Sequence, residues 1–184
     1  MSLPDTEFDP DDNFAFLGDG RAEAEDDPEA EIEAVVWQWL LLVNPGDEEA
    51  AGQQFRDWQE TVASHDDLDA VRDALLAATD WRASFRIAED DRVALVEALV
   101  ELAARFRVDI DWDLEDPTDA RALADVPPSA LLGLAHDQLR VAGYTLWTWE
   151  TGDDTFAGAI AARDDDDGMR AIGHALGLEL RPGA

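Results

Sequence analysis

The sequence contains no cysteine and no lysine, and each absence excludes some chemistry. Without cysteine there is no disulfide, no thiolate nucleophile and no cysteine-ligated metal. Without lysine there is no amine for Schiff-base catalysis and no P-loop. The nucleophile elbow G-x-S-x-G and the dinucleotide fingerprint G-x-G-x-x-G are missing too. The sequence therefore gives no support for an enzyme, and we assign no catalytic residue, no cofactor and no metal ligand.

Positive charge and long apolar runs are also scarce. The 13 basic residues are all arginines and face 44 acidic ones, for a net charge of −31. Such a charge repels phosphate backbones and anionic bilayers, which disfavours nucleic acids and membrane surfaces as partners. The longest apolar run, residues 34–43, is far shorter than the roughly 20 residues that span a bilayer. No secretory signal opens the sequence. We expect a cytoplasmic protein whose charged partner, if any, is cationic.

Length and composition indicate one folded domain behind an acidic tail. The 184 residues, 46% of them hydrophobic and seven of them tryptophan, suffice for one packed core. Residues 1–28 carry many carboxylates and no apolar period, which predicts a disordered acidic tail. Residues 29–184 are predicted to form a single α+β domain.

Apolar residues recur at helical spacing over most of the N-terminal half. The pattern predicts helices within residues 29–43, 47–64, 64–79 and 91–106, with Asp90 or Asp91 capping the last. Two further helices are predicted after the prolines at 127 and 128 and between residues 167 and 177. The expected fold is a helical N-terminal half packed with a small, mainly antiparallel sheet that carries helices on one face.

Four stretches show strand-like patterns. Residues 144–150 and 155–162 flank the turn sequence "TGDD" and predict a hairpin. Residues 108–115 alternate strictly between apolar and acidic side chains, which predicts a half-buried strand. A short strand around Phe85 and Ile87 and a last strand over residues 178–180 complete the expected sheet.

Two acidic runs are the candidate binding residues. The first is Asp109, Asp111 and Asp113, which a strand would project on one side as an anionic ridge; such a row also discourages edge-to-edge pairing. The second is Asp164, Asp165, Asp166 and Asp167, which suit the start of a helix by capping amides and opposing the dipole. An EF-hand template does not fit this run, although a low-affinity cation site stays open.

The histidines offer no metal site by spacing. None of His65, His136 and His174 has a second histidine at the separation that zinc sites use. We expect all three to be surface or boundary residues.

The C-terminal sequence "LRVAGYTLWTWETGDDTFAGAIAA", followed by a short helix and "LGLEL", carries a family resemblance. It resembles the ending of small uncharacterised bacterial proteins that contain a domain of unknown function. The resemblance covers about residues 80–180 and has no catalytic motif. It implies a fold of helix, hairpin and helix, and no activity.

Three interpretations of the acidity follow. The first is an interaction module that binds a basic protein, as an immunity-type inhibitor of a cationic toxin or a mimic of DNA phosphates does. The second is a divalent-metal protein, with hydrolysis as one use of the carboxylates. The third is adaptation of the whole proteome to a GC-rich genome or to salt, in which case the charge says nothing of function.

Overall fold

The computed structural model describes residues 28–183, and nearly all of the predicted acidic tail, residues 1–27, lies outside them. The described helices are α1 (Pro28–Val43), α2 (Glu48–Thr61), α3 (Leu68–Ala78), α4 (Arg92–Ala104), α5 (Ala120–Leu123), α6 (Pro128–Val141) and α7 (Asp166–Ala175). The described strands are β1 (Ser84–Ala88), β2 (Tyr144–Glu150), β3 (Thr155–Ala162) and β4 (Arg181–Pro182). No helix among residues 28–183 has the length and apolarity needed to cross a membrane.

The four strands form one antiparallel sheet in the order β1-β3-β2-β4. The hairpin of β2 and β3 and the short strand β1 match the sequence predictions, and the α+β fold class is confirmed. The last strand lies at residues 181–182 rather than 178–180. Gly177 ends α7 with a φ of 66°, and the amide of Leu178 still bonds to the carbonyl of Gly173, so the chain is turning where we predicted a strand.

Helices cover both faces of the sheet, and the prediction that they cover one face is wrong. Trp147 packs on one side in a cluster with α1, α2, α3 and α7, and its neighbour Leu146 packs on the other side in a cluster with α4 and α6. Both side chains are fully buried. Because successive side chains of a strand point to opposite faces, a strand buried on both faces requires a layer of helices on each.

A glycine in β3 lets the ring of Phe85, on the neighbouring strand β1, lie close against the sheet backbone. A Cβ built on Gly158 would lie 2.7 Å from the ring of Phe85 and 2.5 Å from the carbonyl oxygen of Trp147. The two tryptophans of β2 lie on the other face, where Trp147 pairs with Ala159 and Trp149 with Ala157. Gly158 is thus a site of close packing for Phe85.

Many aspartates begin helices. The carboxylates of Asp47, Asp67, Asp91 and Asp119 each accept a hydrogen bond from a backbone amide in the first turn of the helix that follows. Each such cap stabilises its helix by about 1 kcal/mol. The predicted cap at Asp91 is therefore confirmed, and part of the acidity of the chain serves the fold directly.

Residues 108–115 are not a strand, which corrects the prediction from their strict alternation. The burial alternates as expected, with Trp112 only 6% exposed and Asp111 and Asp113 exposed. No strand lies beside them in the described sheet. Instead the side chain of Gln138 on α6 meets the backbone of Asp111: its amide nitrogen donates to the carbonyl at 2.7 Å and its oxygen accepts from the amide at 2.9 Å. The Gln138 side chain thus makes the pair of backbone hydrogen bonds that a neighbouring strand would make.

Candidate functional site

The second acidic run starts α7, as predicted, but its four members differ. Asp164 and Asp165 lie in a 3-10 turn, Arg163–Asp165, and are exposed. Asp165 occupies the N-cap position of α7 without a side-chain capping bond. Asp167 is fully exposed and lies 3.0 Å from Arg170, one turn along the helix. The run therefore supplies dipole-opposing charge to α7, and the predicted capping by side chains is not present.

Asp166 is the exception, because it is held inside a polar triad. Its side chain is 17% exposed and lies 2.6 Å from the guanidinium of Arg140 on α6. The hydroxyl of Thr145 on β2 donates to the other carboxylate oxygen at 2.5 Å, and Arg140 donates to that hydroxyl at 2.6 Å. Each pair of groups in the triad is therefore joined by a hydrogen bond.

Opposing effects act on the Asp166 carboxyl. Burial raises its pKa, but the hydrogen bonds from Thr145 and Arg140, with the positive charges of Arg140 and Arg170, outweigh burial and leave the pKa below its usual value. Asp166 is therefore an ionised structural anchor that ties α7 to α6 and β2. It is not free to bind a partner.

The first acidic run is anchored through its backbone and leaves its carboxylates in solvent. The Gln138 side chain holds the main chain at Asp111, and the Asp111 carboxylate accepts the amide of Asp113 at 3.0 Å. Asp113 has a φ of 55°, a left-handed conformation that aspartate tolerates better than most residues. The side chains of Asp109, Asp111 and Asp113 are exposed, as the sequence predicted.

The structure brings both runs to the C-terminal half of α6. Gln138 contacts the first run and Arg140 the second, and residues two apart lie on opposite sides of a helix. The exposed aspartates of the two runs therefore flank α6 on its two sides; together we call them the α6 acidic surface, and they are Asp109, Asp111, Asp113, Asp164 and Asp165. Among residues 28–183 none of these five forms an ion pair. Val141, the last residue of α6, is 91% exposed.

A second cluster contains one histidine and was not predicted. Glu29 and Glu33, one turn apart on α1, lie with His65 so that one ligand atom of each is within 4.8 Å of the others. The imidazole Nδ1 is 3.5 Å from a Glu29 oxygen, and Gln59 donates to Glu33 at 3.1 Å. The i,i+4 spacing of the glutamates was visible in the sequence, but no local pattern places His65 beside them. His136 and His174 lie as expected, half-buried and exposed.

A cavity of about 840 Å³ opens between α3, β1 and the hairpin turn. Two arginines line it, and both are already paired: Arg72 with Asp69 at 2.8 Å and Arg86 with Asp153 at 2.5 Å. Hydrogen bonds from Thr151, Thr155 and Arg86 lower the pKa of Asp153 to about 2. Both arginines that line this cavity are therefore neutralised by aspartates, so the cavity shows no clear preference for an anionic ligand.

Comparison with known families gives one match. The family model described as "Domain of unknown function (DUF6630)" matches residues 35–183. The chain belongs to this family. The match confirms the predicted resemblance and extends it from the C-terminal part to α1. The DUF6630 match includes the whole sheet, both acidic runs and His65, whereas Glu29 and Glu33 precede it. No curated protein and no solved structure matches the chain.

Proposed function

We propose that this DUF6630 protein is a protein-interaction module whose α6 acidic surface binds a positively charged protein. The observation that carries the proposal is that the five aspartates of this surface, two of them in one run and three in the other, form no ion pair among the described residues. Some other carboxylates are neutralised by arginines, as Asp80 is by Arg82 and Asp153 by Arg86. Unpaired negative charge attracts a cationic partner over distances of about 10 Å.

Two aspartates of the α6 acidic surface, Asp109 and Asp164, also lack the structural task that other aspartates perform. Asp47, Asp67 and Asp91 cap helices, and Asp166 anchors α7, but Asp109 and Asp164 accept no hydrogen bond from any described residue. Their mutual repulsion destabilises the folded state. A binding role accounts for that cost, because a cationic partner relieves the repulsion.

Two classes of partner fit such a surface. One is a cationic toxin, for which this protein acts as an immunity-type inhibitor; the other is a DNA-binding protein whose phosphate contacts the carboxylates imitate. In both cases electrostatic steering makes association fast and makes affinity fall as salt rises. The competing explanation, adaptation of the whole proteome, predicts that these positions matter no more than other exposed acids.

The test is a matched pair of charge variants. The binding variant carries Asp109→Asn, Asp111→Asn, Asp113→Asn, Asp164→Asn and Asp165→Asn. The control variant removes five exposed acids of α1 and α2, outside both acidic runs, through Glu31→Gln, Glu48→Gln, Glu49→Gln, Asp57→Asn and Glu60→Gln. Basic proteins captured from the native lysate by the unmodified protein are then titrated against both variants at two salt concentrations.

We expect the binding variant to lose at least tenfold in affinity and much of the salt dependence, and the control to lose less than about threefold. Equal losses in the two variants would contradict the proposal, because the attraction would then follow net charge alone. A proteome of similarly low isoelectric points together with equal losses would establish the adaptation explanation.

A second candidate function is divalent-metal binding, favoured by the geometry of Glu29, Glu33 and His65. One imidazole and two carboxylates are a ligand set that suits zinc or manganese. An ion there with an open coordination position would lower the pKa of a bound water, which is the route to hydrolysis. The sequence interpretation that assigned metal to the aspartate runs therefore moves to this cluster.

Calorimetric titration with zinc and manganese tests the metal candidate. We expect saturable binding of one ion, abolished by His65→Gln and kept by His174→Gln, which alters an exposed histidine on α7. Unchanged traces in the His65 variant would exclude this cluster as the site. Binding should weaken as pH falls, because protons compete with the metal ion for its ligands.

A further inference from the structure

One edge of the sheet carries backbone groups without a partner strand. β1 pairs with β3 only and is the first strand in the sheet order, so its other side is a free edge within the described residues. The amide of Glu89 donates to the carbonyl of Asp154, at 3.0 Å, and extends the same ladder. Because residues of an antiparallel strand alternate in direction, Phe85 and Ile87 also face β3, and the amide and carbonyl of Arg86 face away.

The opposite edge of the sheet is protected, whereas this edge is closed only at its two ends, where the Ser84 amide donates to the carbonyl of Asp80 and the Ala88 carbonyl accepts from the amide of Asp91. The amide and carbonyl of Arg86, between those ends, stay open among the described residues. β4 has two residues, and one of them is Pro182, which has no amide to donate. β1 has five residues and no proline or glycine, and Arg86 is its one charged residue. A free edge of this kind adds a strand from another chain unless something blocks it. Strand addition to the described sheet is therefore directed to β1.

A groove runs along the free edge, where an added strand would lie. Its volume is about 440 Å³; the floor is Ser84 to Ile87, and the walls are the end of α3 with Trp81 on one side and α4 on the other. Trp81 is 69% exposed, the only tryptophan that is exposed. Since α3 and α4 lie on opposite faces of the sheet, a strand entering between them would be partly covered on both faces.

Charge in the groove selects the occupant. Glu97 and Glu101 of α4 line the groove and are exposed, and neither forms an ion pair with a described residue. Arg86 is already paired with Asp153. A second copy of this chain fits poorly, because antiparallel pairing centred on Arg86 places two arginines opposite each other and brings together two molecules of charge −31.

We propose that β1 accepts an extended, basic segment of a partner protein as a fifth strand, with its cationic side chains against Glu97 and Glu101 and an apolar side chain against Trp81. The inference rests on the proposed function only for the positive charge of the partner. The site itself consists of other residues than the α6 acidic surface.

The probe is a fluorescent heptapeptide of alternating arginine and valine with blocked ends, titrated against the full chain by anisotropy. Its matched control is the same peptide N-methylated at alternate residues, which keeps every charge and side chain but removes the donors of one edge. We expect the control to bind at least tenfold more weakly, because strand addition depends on backbone hydrogen bonds. Equal affinities would overturn the proposal and leave only attraction between charges.

A pair of substitutions at one position locates the site. Arg86→Pro removes the outward amide and leaves the bonds of β1 to β3 in place, while Arg86→Thr removes the same charge and keeps the amide. We expect the proline variant to bind the peptide at least tenfold more weakly than the threonine variant. If the proline variant fails to fold, Glu97→Gln with Glu101→Gln replaces it, with Glu31→Gln and Glu60→Gln as its control; several-fold weaker binding in the first pair alone is expected.

Two outcomes would contradict the site. Sedimentation of a dimer that Arg86→Pro dissociates would show that a second copy occupies the edge. Loss of peptide binding in the five-aspartate variant of α6, with none in the Arg86 or α4 variants, would place the peptide on the α6 acidic surface instead. Unchanged peptide binding in that α6 variant, with loss in Arg86→Pro, separates this site from the proposed function.

Discussion

The two acidic runs that meet α6 have nearly the same composition and are held in opposite ways. In the first run the backbone at Asp111 is fastened to Gln138 and the carboxylates stay in solvent. In the second run a carboxylate, that of Asp166, is fastened to Arg140 and Thr145. Within a very acidic protein, an aspartate that stabilises the fold is therefore distinguished by its burial and partners, since its neighbours in the sequence look the same.

The largest expected effect comes from removing the anchor of the second run. Asp166→Ala takes away two short hydrogen bonds and leaves Arg140, 32% exposed, without its carboxylate. We expect the free energy of unfolding to fall by about 1.5–3 kcal/mol in urea titrations at pH 7, the range for hydrogen bonds to charged groups. Asp164→Ala, in the same run but exposed, should change it by less than about 0.5 kcal/mol.

A double-mutant cycle tests whether the loss of stability comes from the contact between Asp166 and Arg140. Combining Asp166→Ala with Arg140→Ala should cost clearly less than the sum of the single changes, because both remove the same contact. Additive losses would mean that Asp166 stabilises α7 through the helix dipole alone.

The pH dependence of stability should reveal the contribution of Asp166. The folded-state pKa of Asp166 is lowered, so its contribution is present above the unfolded-state value of about 3.9 and is lost as pH falls through the folded-state value. Asp166→Asn should therefore lose less stability than the unmodified protein between pH 5 and pH 2. The lowered pKa of Asp153 acts in both proteins and cancels in the difference. Parallel curves would contradict this prediction.

A smaller effect is expected from releasing the backbone of the first run. Gln138→Ala removes both bonds to Asp111 and should cost about 1 kcal/mol, because the bonds lie in contact with water. Amide exchange at Asp111 should accelerate in this variant. Asp137→Ala, an exposed neighbour on α6, is the control and should leave that exchange unchanged.

The smallest effect has the opposite sign. Asp113 adopts a φ of 55°, which glycine occupies without steric cost. Asp113→Gly removes backbone strain and one repulsive charge, which stabilises the folded state, but it also gives the unfolded chain more freedom, which opposes that gain. We therefore expect stability to change little or to rise by about 0.5 kcal/mol. Asp109→Gly, where φ is not positive, should destabilise instead. Thermal melts of the two variants side by side measure the difference.

The helices were predictable because an apolar stripe at helical spacing is a property of the local sequence. The failure at residues 108–115 has a physical reason: alternation records which side chains are buried, and any extended segment lying on a core shows it, whether or not a strand pairs with it. The second layer of helices, which we did not predict, had a signal in β2, where all four residues of "LWTW" are buried.

The candidate sites were predictable only in part. The exposure of Asp109, Asp111 and Asp113 followed from their pattern, but the distinct role of Asp166 depends on Arg140, 26 residues earlier in the chain. The approach of His65 to Glu29 and Glu33 likewise depends on how the chain returns after α2. Contacts of this kind are set by tertiary packing, which a single sequence does not encode in any local period.

The fluorescence of the exposed indole of Trp81 can report on the groove beside β1. Five of the other tryptophans are buried and Trp37 is partly buried, so a collisional quencher in solution reaches Trp81 first. The net charge of −31 concentrates caesium ions around the protein and excludes iodide, whereas acrylamide is neutral and is unaffected by charge. Emission that caesium quenches and iodide spares would therefore report on this one side chain, and its recovery as a ligand fills the groove gives an optical assay that needs no label.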